Sequence, residues 1–233
     1  MKPDPGQGSV PTFAPQFPDY PHRSNIMIRF LPLSLLAVLL PLFALAADPP
    51  PAGPKLASGL LMKQEGKLVF APCRDRSYAL VDDISPGATV TAALESVGLG
   101  TGKKLYVELW GTLEGIALKV TGLNLARADG RCQPSGGPDE AWRAAGSEPT
   151  PWTLAAGGDV LLLKRSGRPE QRLAYKGSRD SAQSSVYEGA GEPTVTWRFE
   201  QKTCRDRSSD AVFGWTAGVT VAGETLRGCA WQR

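Results

Sequence analysis

From about residue 56 onward, apolar side chains recur at every second position in short runs, and each run is stopped by a turn signal before it reaches helical length. That period places alternate side chains on opposite faces of an extended chain and marks strands. "GLLMKQ" and "KLVFAPC" are separated by Glu65-Gly66, and "YALVDD" is stopped by Pro86-Gly87, so these three runs read as a small antiparallel set. One segment departs from the pattern. In "TVTAALESVGLG", Val90, Leu94 and Val97 recur at helical spacing, with Thr89 as the expected cap and Gly98 and Gly100 as the exit.

Period two then returns. "KKLYVELWG" sets Leu105, Val107 and Leu109 on one face and Tyr106, Glu108 and Trp110 on the other. "IALKVTGLNLARA" sets Ile116, Leu118 and Val120 on one face, and Leu123 and Leu125 continue the apolar side after a break at Gly122, as a bulge or barrel corner would require. Three strands, a helix and two strands is the element order of a small OB-type barrel, expected over residues 56–127. "ADGRCQPSGGPDE", 128–140, reads as a linker. Beyond it, strand runs separated by Gly-Gly, Ser-Gly-Arg-Pro and Ala-Gly turns predict a second β domain over 141–233. The expected fold class is all-β, mostly antiparallel, with one short helix.

Ahead of these runs, "MIRFLPLSLLAVLLPLFALAADPP" has a basic start at Arg29, an apolar stretch from Phe30 to Leu45 and small residues at Ala44 and Ala46. This is the layout of a secretory signal cleaved near Ala46, and Pro32 and Pro41 argue against a membrane span. Residues 1–26 are expected to be a disordered leader or an over-extended start before Met27, and residues 47–55 a Pro-rich leader. No cysteine follows the cleavage pattern, so no lipid anchor is expected. These features predict a periplasmic protein with no stable membrane span after cleavage.

All four cysteines, Cys73, Cys132, Cys204 and Cys229, lie beyond the signal. An even number in an oxidising compartment predicts two disulfides. Four cysteines allow three pairings, which spacing alone does not distinguish. Grouping by candidate domain favours Cys73 with Cys132 and Cys204 with Cys229. Two of them open the same pentad, Cys-Arg-Asp-Arg-Ser, at Cys73 and at Cys204.

The only histidine is His22, ahead of the signal, so the exported chain has no imidazole for a Ser-His-Asp or Cys-His mechanism. The cysteines are too dispersed for an all-cysteine zinc site, and neither a metal nor a cofactor is expected. A net charge of +3 without a basic block argues against nucleic acid as partner. Carboxylates could run a glycosidase without histidine, and Asp82 with Asp83 or Asp206 with Asp210 are the available pairs. Each reads first as a turn or cap acid. The six tryptophans, Trp110, Trp142, Trp152, Trp197, Trp215 and Trp231, read as bulk for small β cores ahead of a stacking platform for sugars.

"AAGSEPTPWTLAAGGDVLLLKRSGRPE", from Ala144, resembles the "GNEPFW" opening of the C-terminal region in a family of uncharacterised exported bacterial proteins. "CRDRSSDAVFGWTAGVTVAGETLRGCA", from Cys204, resembles that region's closing pattern. The matching residues are Gly146, Glu148, Pro149 and Trp152, then Cys204, Asp206, Ser209, Asp210, Phe213, Gly228, Cys229 and Ala230. The first part, with "F-x-PC" at Phe70 to Cys73 and "YVELWG" from Tyr106, is similar to the matching first domain, and more distantly to the envelope-stress lipoprotein NlpE and to META-type β domains. Ser208 stands where the family has Met, Thr150-Pro151 opens out the usual aromatic pair before Trp152, and Cys73 is alone where relatives carry Cys-x-x-Cys. The resemblance implies an envelope location and a META-like second domain, and brings no catalytic residues. The expected function is therefore non-enzymatic: binding or monitoring an envelope protein or ligand, with an envelope protein or glycan as the expected partner. The alternatives are an inhibitor of a lysozyme-type lytic enzyme and a carboxylate-dependent glycan hydrolase.

Overall fold

A computed structural model describes residues 53–100, 103–129, 131–132, 140–191, 194–206 and 208–233. The expected leader, the signal over 27–46 and most of the linker lie outside the described residues.

Among the described residues the fold is β-rich and mostly antiparallel, with a single short α-helix. The first five strands are β1 (Lys55–Gln64), β2 (Lys67–Pro72), β3 (Ala79–Asp83), β4 (Lys104–Glu114) and β5 (Ala117–Arg127), and α1 (Thr89–Ser96) lies between β3 and β4. Lys55, expected to end the Pro-rich leader, already pairs with Gly111 in β1, and residues 47–52 of that leader lie outside the described residues. Eight more strands follow: β6 (Trp142–Glu148), β7 (Trp152–Gly157), β8 (Val160–Arg165), β9 (Gln171–Asp180), β10 (Ser184–Gly189), β11 (Val195–Asp206), β12 (Ala211–Val221) and β13 (Glu224–Gln232). Two-residue turns close the hairpins at Glu65-Gly66 and Ala222-Gly223, where all four residues have positive φ. That backbone twist matches the twist of the flanking strands.

The pairings form two circuits. In the first, β1 pairs β2, β2 pairs β3, β3 pairs β5 in parallel, β5 pairs β4, and β4 returns to β1. In the second, each strand from β6 to β13 pairs antiparallel with the next, and β13 returns to β6. Strand β12 belongs to both: Ala211–Phe213 pair with Leu125–Arg127 of β5, and Trp215–Val221 pair with β13.

Each circuit has its own core. Leu105, Val107, Leu109, Leu118 and Val120 fill the first, together with Val90, Leu94 and Val97 from the helix. The helix does not begin on a Thr89 cap as expected. Ala88 holds that position without a side-chain bond, and the cap comes from upstream: Asp83 accepts from the Thr91 backbone N–H at 2.7 Å, and Ser85 Oγ from the Val90 N–H at 3.2 Å. Ile116 is also not a core residue. It lies in the turn between β4 and β5 and is 72% exposed. The expected break at Gly122 is a bulge, because Trp110 faces Gly122 while Gly111 faces Val120.

The second core adds a cluster of aromatic rings to its leucines, valines and alanines. Trp142 stacks on Phe199 at 4.4 Å, Tyr187 on Trp197 at 5.4 Å, and Trp215 meets Trp142 edge-on at 4.9 Å. Trp142, Trp152, Trp197 and Trp215 are buried, as the core reading of the tryptophans requires, while Trp110 and Trp231 are half-buried. A third cluster joins the circuits: Tyr106, Leu125, Ala211, Phe213 and Cys229, with Cys73, Cys204 and Trp231 against it. No described helix is long and apolar enough to cross a membrane.

Candidate functional site

The disulfides are Cys73–Cys132 and Cys204–Cys229, with Cα atoms 5.5 and 5.4 Å apart. After Cys73, Asp75 accepts from both the backbone N–H and the hydroxyl of Ser77, at 3.1 and 2.7 Å. After Cys204, Asp206 accepts from the same two groups of Ser208, at 2.9 and 2.8 Å. The repeated pentad is thus one device used twice: a cysteine fixed by a disulfide, then an Asp that folds the chain back through the Ser two residues on.

The motif residues come together at the second copy of that turn. β6 and β13 meet at a bulge, where Arg227 pairs with Glu148 but Cys229 pairs with Ala145. Glycines permit this contact. A Cβ on Gly146 would lie 2.2 Å from the Arg227 carbonyl oxygen, and one on Gly228 would lie 2.1 Å from that of Ala145. The buried Trp152 seals the bulge by donating its indole N–H to the Arg227 carbonyl at 3.2 Å. The Cys204–Cys229 bridge then brings the β11–β12 turn alongside. Gly146, Glu148, Cys204, Asp206, Gly228 and Cys229 line one groove of about 660 Å³, with Arg205 and Arg227 at the same surface.

Of the remaining motif residues, Ser209 and Asp210 belong to the turn beside the groove, while Pro149, Phe213 and Ala230 do not line it. Ser209 donates its hydroxyl to Asp206 at 2.6 Å, and Asp210 takes a positive φ of 50° with Arg205 at 3.5 Å. Phe213 is buried and stacks on Trp231 at 5.0 Å. Pro149 is exposed and follows Glu148 through a cis peptide bond. Ala230 is buried in the second core.

The acids considered for hydrolysis are all engaged. Lys119 donates to Asp82. Burial alone would raise the Asp83 pKa, but hydrogen bonds from Ser85 and Thr91 outweigh it and hold the carboxyl below its ordinary value. Asp206 behaves alike: burial raises its pKa, and donors on Ser209 and Ser208 carry it below the usual carboxylate range. A carboxyl lowered in this way stays ionised at neutral pH and is a poor proton donor. No group of three or more His, Cys, Asp or Glu side chains among the described residues could hold a metal ion.

A buried polar network at the junction was not anticipated. Tyr106 donates its phenol to Glu108 Oε1 at 2.7 Å, and Asn124 Nδ2 donates to Glu108 Oε2 at 2.7 Å and to the Gln232 carbonyl at 2.8 Å. The Gln232 N–H completes it by donating to Asn124 Oδ1 at 2.8 Å. Burial comes first in pushing the Tyr106 phenol well above its ordinary pKa, and the Glu108 bond adds to it. Such a network fixes β13 against β4 and β5. "YVELW" gave one signal, a Glu inside a strand flanked by large apolar residues.

Comparisons with protein-family models, with curated proteins and with solved structures each return no match. The functional reading therefore rests on the motif residues and their geometry.

Proposed function

We propose that the chain is a non-enzymatic protein of the bacterial envelope, exported to the periplasm with its signal cleaved near Ala46, that binds or monitors an envelope protein or glycan. One observation carries this reading. Motif residues from two stretches of sequence, Gly146 to Trp152 and Cys204 to Cys229, converge on one groove, and the groove acid Asp206 is held by Ser208 and Ser209 as a turn acceptor. Shape and hydrogen-bonding groups suffice for binding, whereas hydrolysis needs a protonated acid facing a base.

The family likeness belongs to the same reading. The circuit of β1–β2–β3–β5–β4, with a helix between its third and fourth strands and one parallel pairing, fits an OB-like barrel. The circuit from β6 to β13 fits the META-like second domain. Neither nucleic acid nor a stable membrane span enters this account.

The test is turnover. Purified chain starting at Ala47, incubated with cell-wall glycan, should release no reducing ends above a buffer blank. Release that disappears in Asp206→Asn would overturn the proposal in favour of a hydrolase.

A further inference from the structure

A row of arginines crosses the outer face of the second circuit. Cross-strand partners run Arg179 to Val186 to Arg198 to Gly218 to Arg227, over β9 to β13. The arginines stand on every second strand, so their Cα atoms are roughly 10 Å apart at the usual strand spacing. Half-buried Val186 separates the first two arginines, and Gly218, without a side chain, the last two. A Cβ added at Gly218 would meet nothing within 4 Å. The row lines a groove of about 620 Å³ that shares Arg227 and Gly228 with the motif groove.

Charge in this groove is incompletely balanced. Arg179 pairs with Glu188 and Arg198 with Glu200 at 3.3 Å, but neither Arg227 nor Lys202 makes an ion pair among the described residues. Beside the row runs a second one of hydroxyls, Thr196, Thr220 and Thr225, the last two with oxygens 3.2 Å apart. The one aromatic lining residue, Trp197, is buried in the core behind the sheet, so bases or sugar rings find no exposed ring to stack on.

We propose that this groove binds an extended acidic glycan carrying a carboxylate on alternate sugars. A disaccharide of an extended, equatorially linked glycan advances by the same ~10 Å as two strands of a sheet. Arg227, which has no ion pair among the described residues, can take a carboxylate through a bidentate, charge-assisted bond, and Arg198 and Arg179 can take others through the donors that their pairs with Glu200 and Glu188 leave over. The threonine hydroxyls match sugar hydroxyls, which both donate and accept. Open space at Gly218 lets the chain lie close to the backbone. Single-stranded nucleic acid fits less well, because its usual protein sites add aromatic stacking to a basic groove. The inference rests on the reading of the chain as a binding protein and names a ligand class for it.

Hyaluronan oligosaccharides, which carry one carboxylate per disaccharide, serve as the probe in titration calorimetry on the purified chain. Saturable binding is expected, with Arg198→Glu and Arg227→Glu each weakening it roughly tenfold or more, the size of one lost charge-assisted bond. Gly218→Leu keeps the charge but fills the groove and should weaken binding to a similar degree. Arg172→Glu, exposed on β9 outside the groove, should leave it unchanged. Matching thermal melts of the four variants would establish that folding is intact. The inference is overturned by no saturable binding, by equal binding of a neutral chito-oligosaccharide or an equally charged oligonucleotide, or by wild-type affinity in Arg198→Glu and Gly218→Leu. Any of these would leave the binding-protein reading intact, because that reading is tested by turnover and by capture.

Discussion

The two strand circuits solve the same packing problem with different materials. Five strands close around mainly aliphatic side chains, with Phe70 as the aromatic member, and use one face of α1, through Val90, Leu94 and Val97, as part of the filling. Eight strands close around a cluster of rings, Trp142, Trp197, Phe199 and Tyr187 among them, set in leucines and valines, with no helix among the described residues. The interior widens with strand number, so the larger circuit needs the volume of aromatic rings where the smaller one is filled by leucine, valine and a helix face. Stability in the second circuit should therefore rest on a few large side chains, and in the first on many small ones.

Truncation of a single core residue in each circuit is the sharpest challenge to that contrast. Trp197→Ala should cost roughly 4 to 5 kcal/mol and Leu94→Ala roughly 3, read as shifts in urea midpoint. Equal losses would break the comparison. The disulfides come next. On loop entropy alone, replacing Cys73 and Cys132 by Ser should cost roughly 4 kcal/mol, and replacing Cys204 and Cys229 roughly 3.5, since the first pair closes the longer loop. A reversed order would contradict an account of the two bridges by chain entropy.

Smaller effects probe the junction and the helix. Tyr106→Phe removes one donor from buried Glu108 and should cost roughly 2 kcal/mol. Its pH dependence is distinctive. The folded phenol keeps its proton where the unfolded one loses it, so the stability it adds is complete below the ordinary tyrosine pKa of about 10 and is lost as pH rises above it. The variant should lose that part of the alkaline fall in an unfolding series. Asp83→Ala should cost roughly 1 kcal/mol through the helix cap. Because the folded carboxyl titrates below its ordinary value, that cost should be full near neutrality and shrink as pH falls below about 4. A cost independent of pH would remove the carboxylate from the account.

Much of the fold could be read from local pattern. The alternation of Leu105, Val107 and Leu109 identified the inner face of β4, and the apolar runs with their glycine turns marked the strands. Burial of the opposite face could not be read this way. Tyr106 and Glu108 alternate as solvent-facing residues would, yet they are covered by chain from β12 and β13, far along the sequence. Ile116 was misread for a related reason: hydrophobicity continued the alternation into what is a turn. Thr89 had the chemistry of a cap, but Asp83 and Ser85 reach the helix N–H groups first. The motif residues were visible as a pattern, while their convergence depends on the β6–β13 pairing and on a disulfide, neither of which leaves a local trace. The repeated Cys-Arg-Asp-Arg-Ser was visible, and its meaning required the matching Asp-to-Ser bonds at both copies.

The most direct measurement is photo-crosslinking in intact cells from a photoreactive residue placed at Glu148, on the groove, against the same residue placed at Glu65 in the β1–β2 turn. The account predicts a discrete envelope protein or glycan adduct from Glu148 and none from Glu65. The same adducts from both positions, or none from either, would contradict a binding function centred on the motif groove.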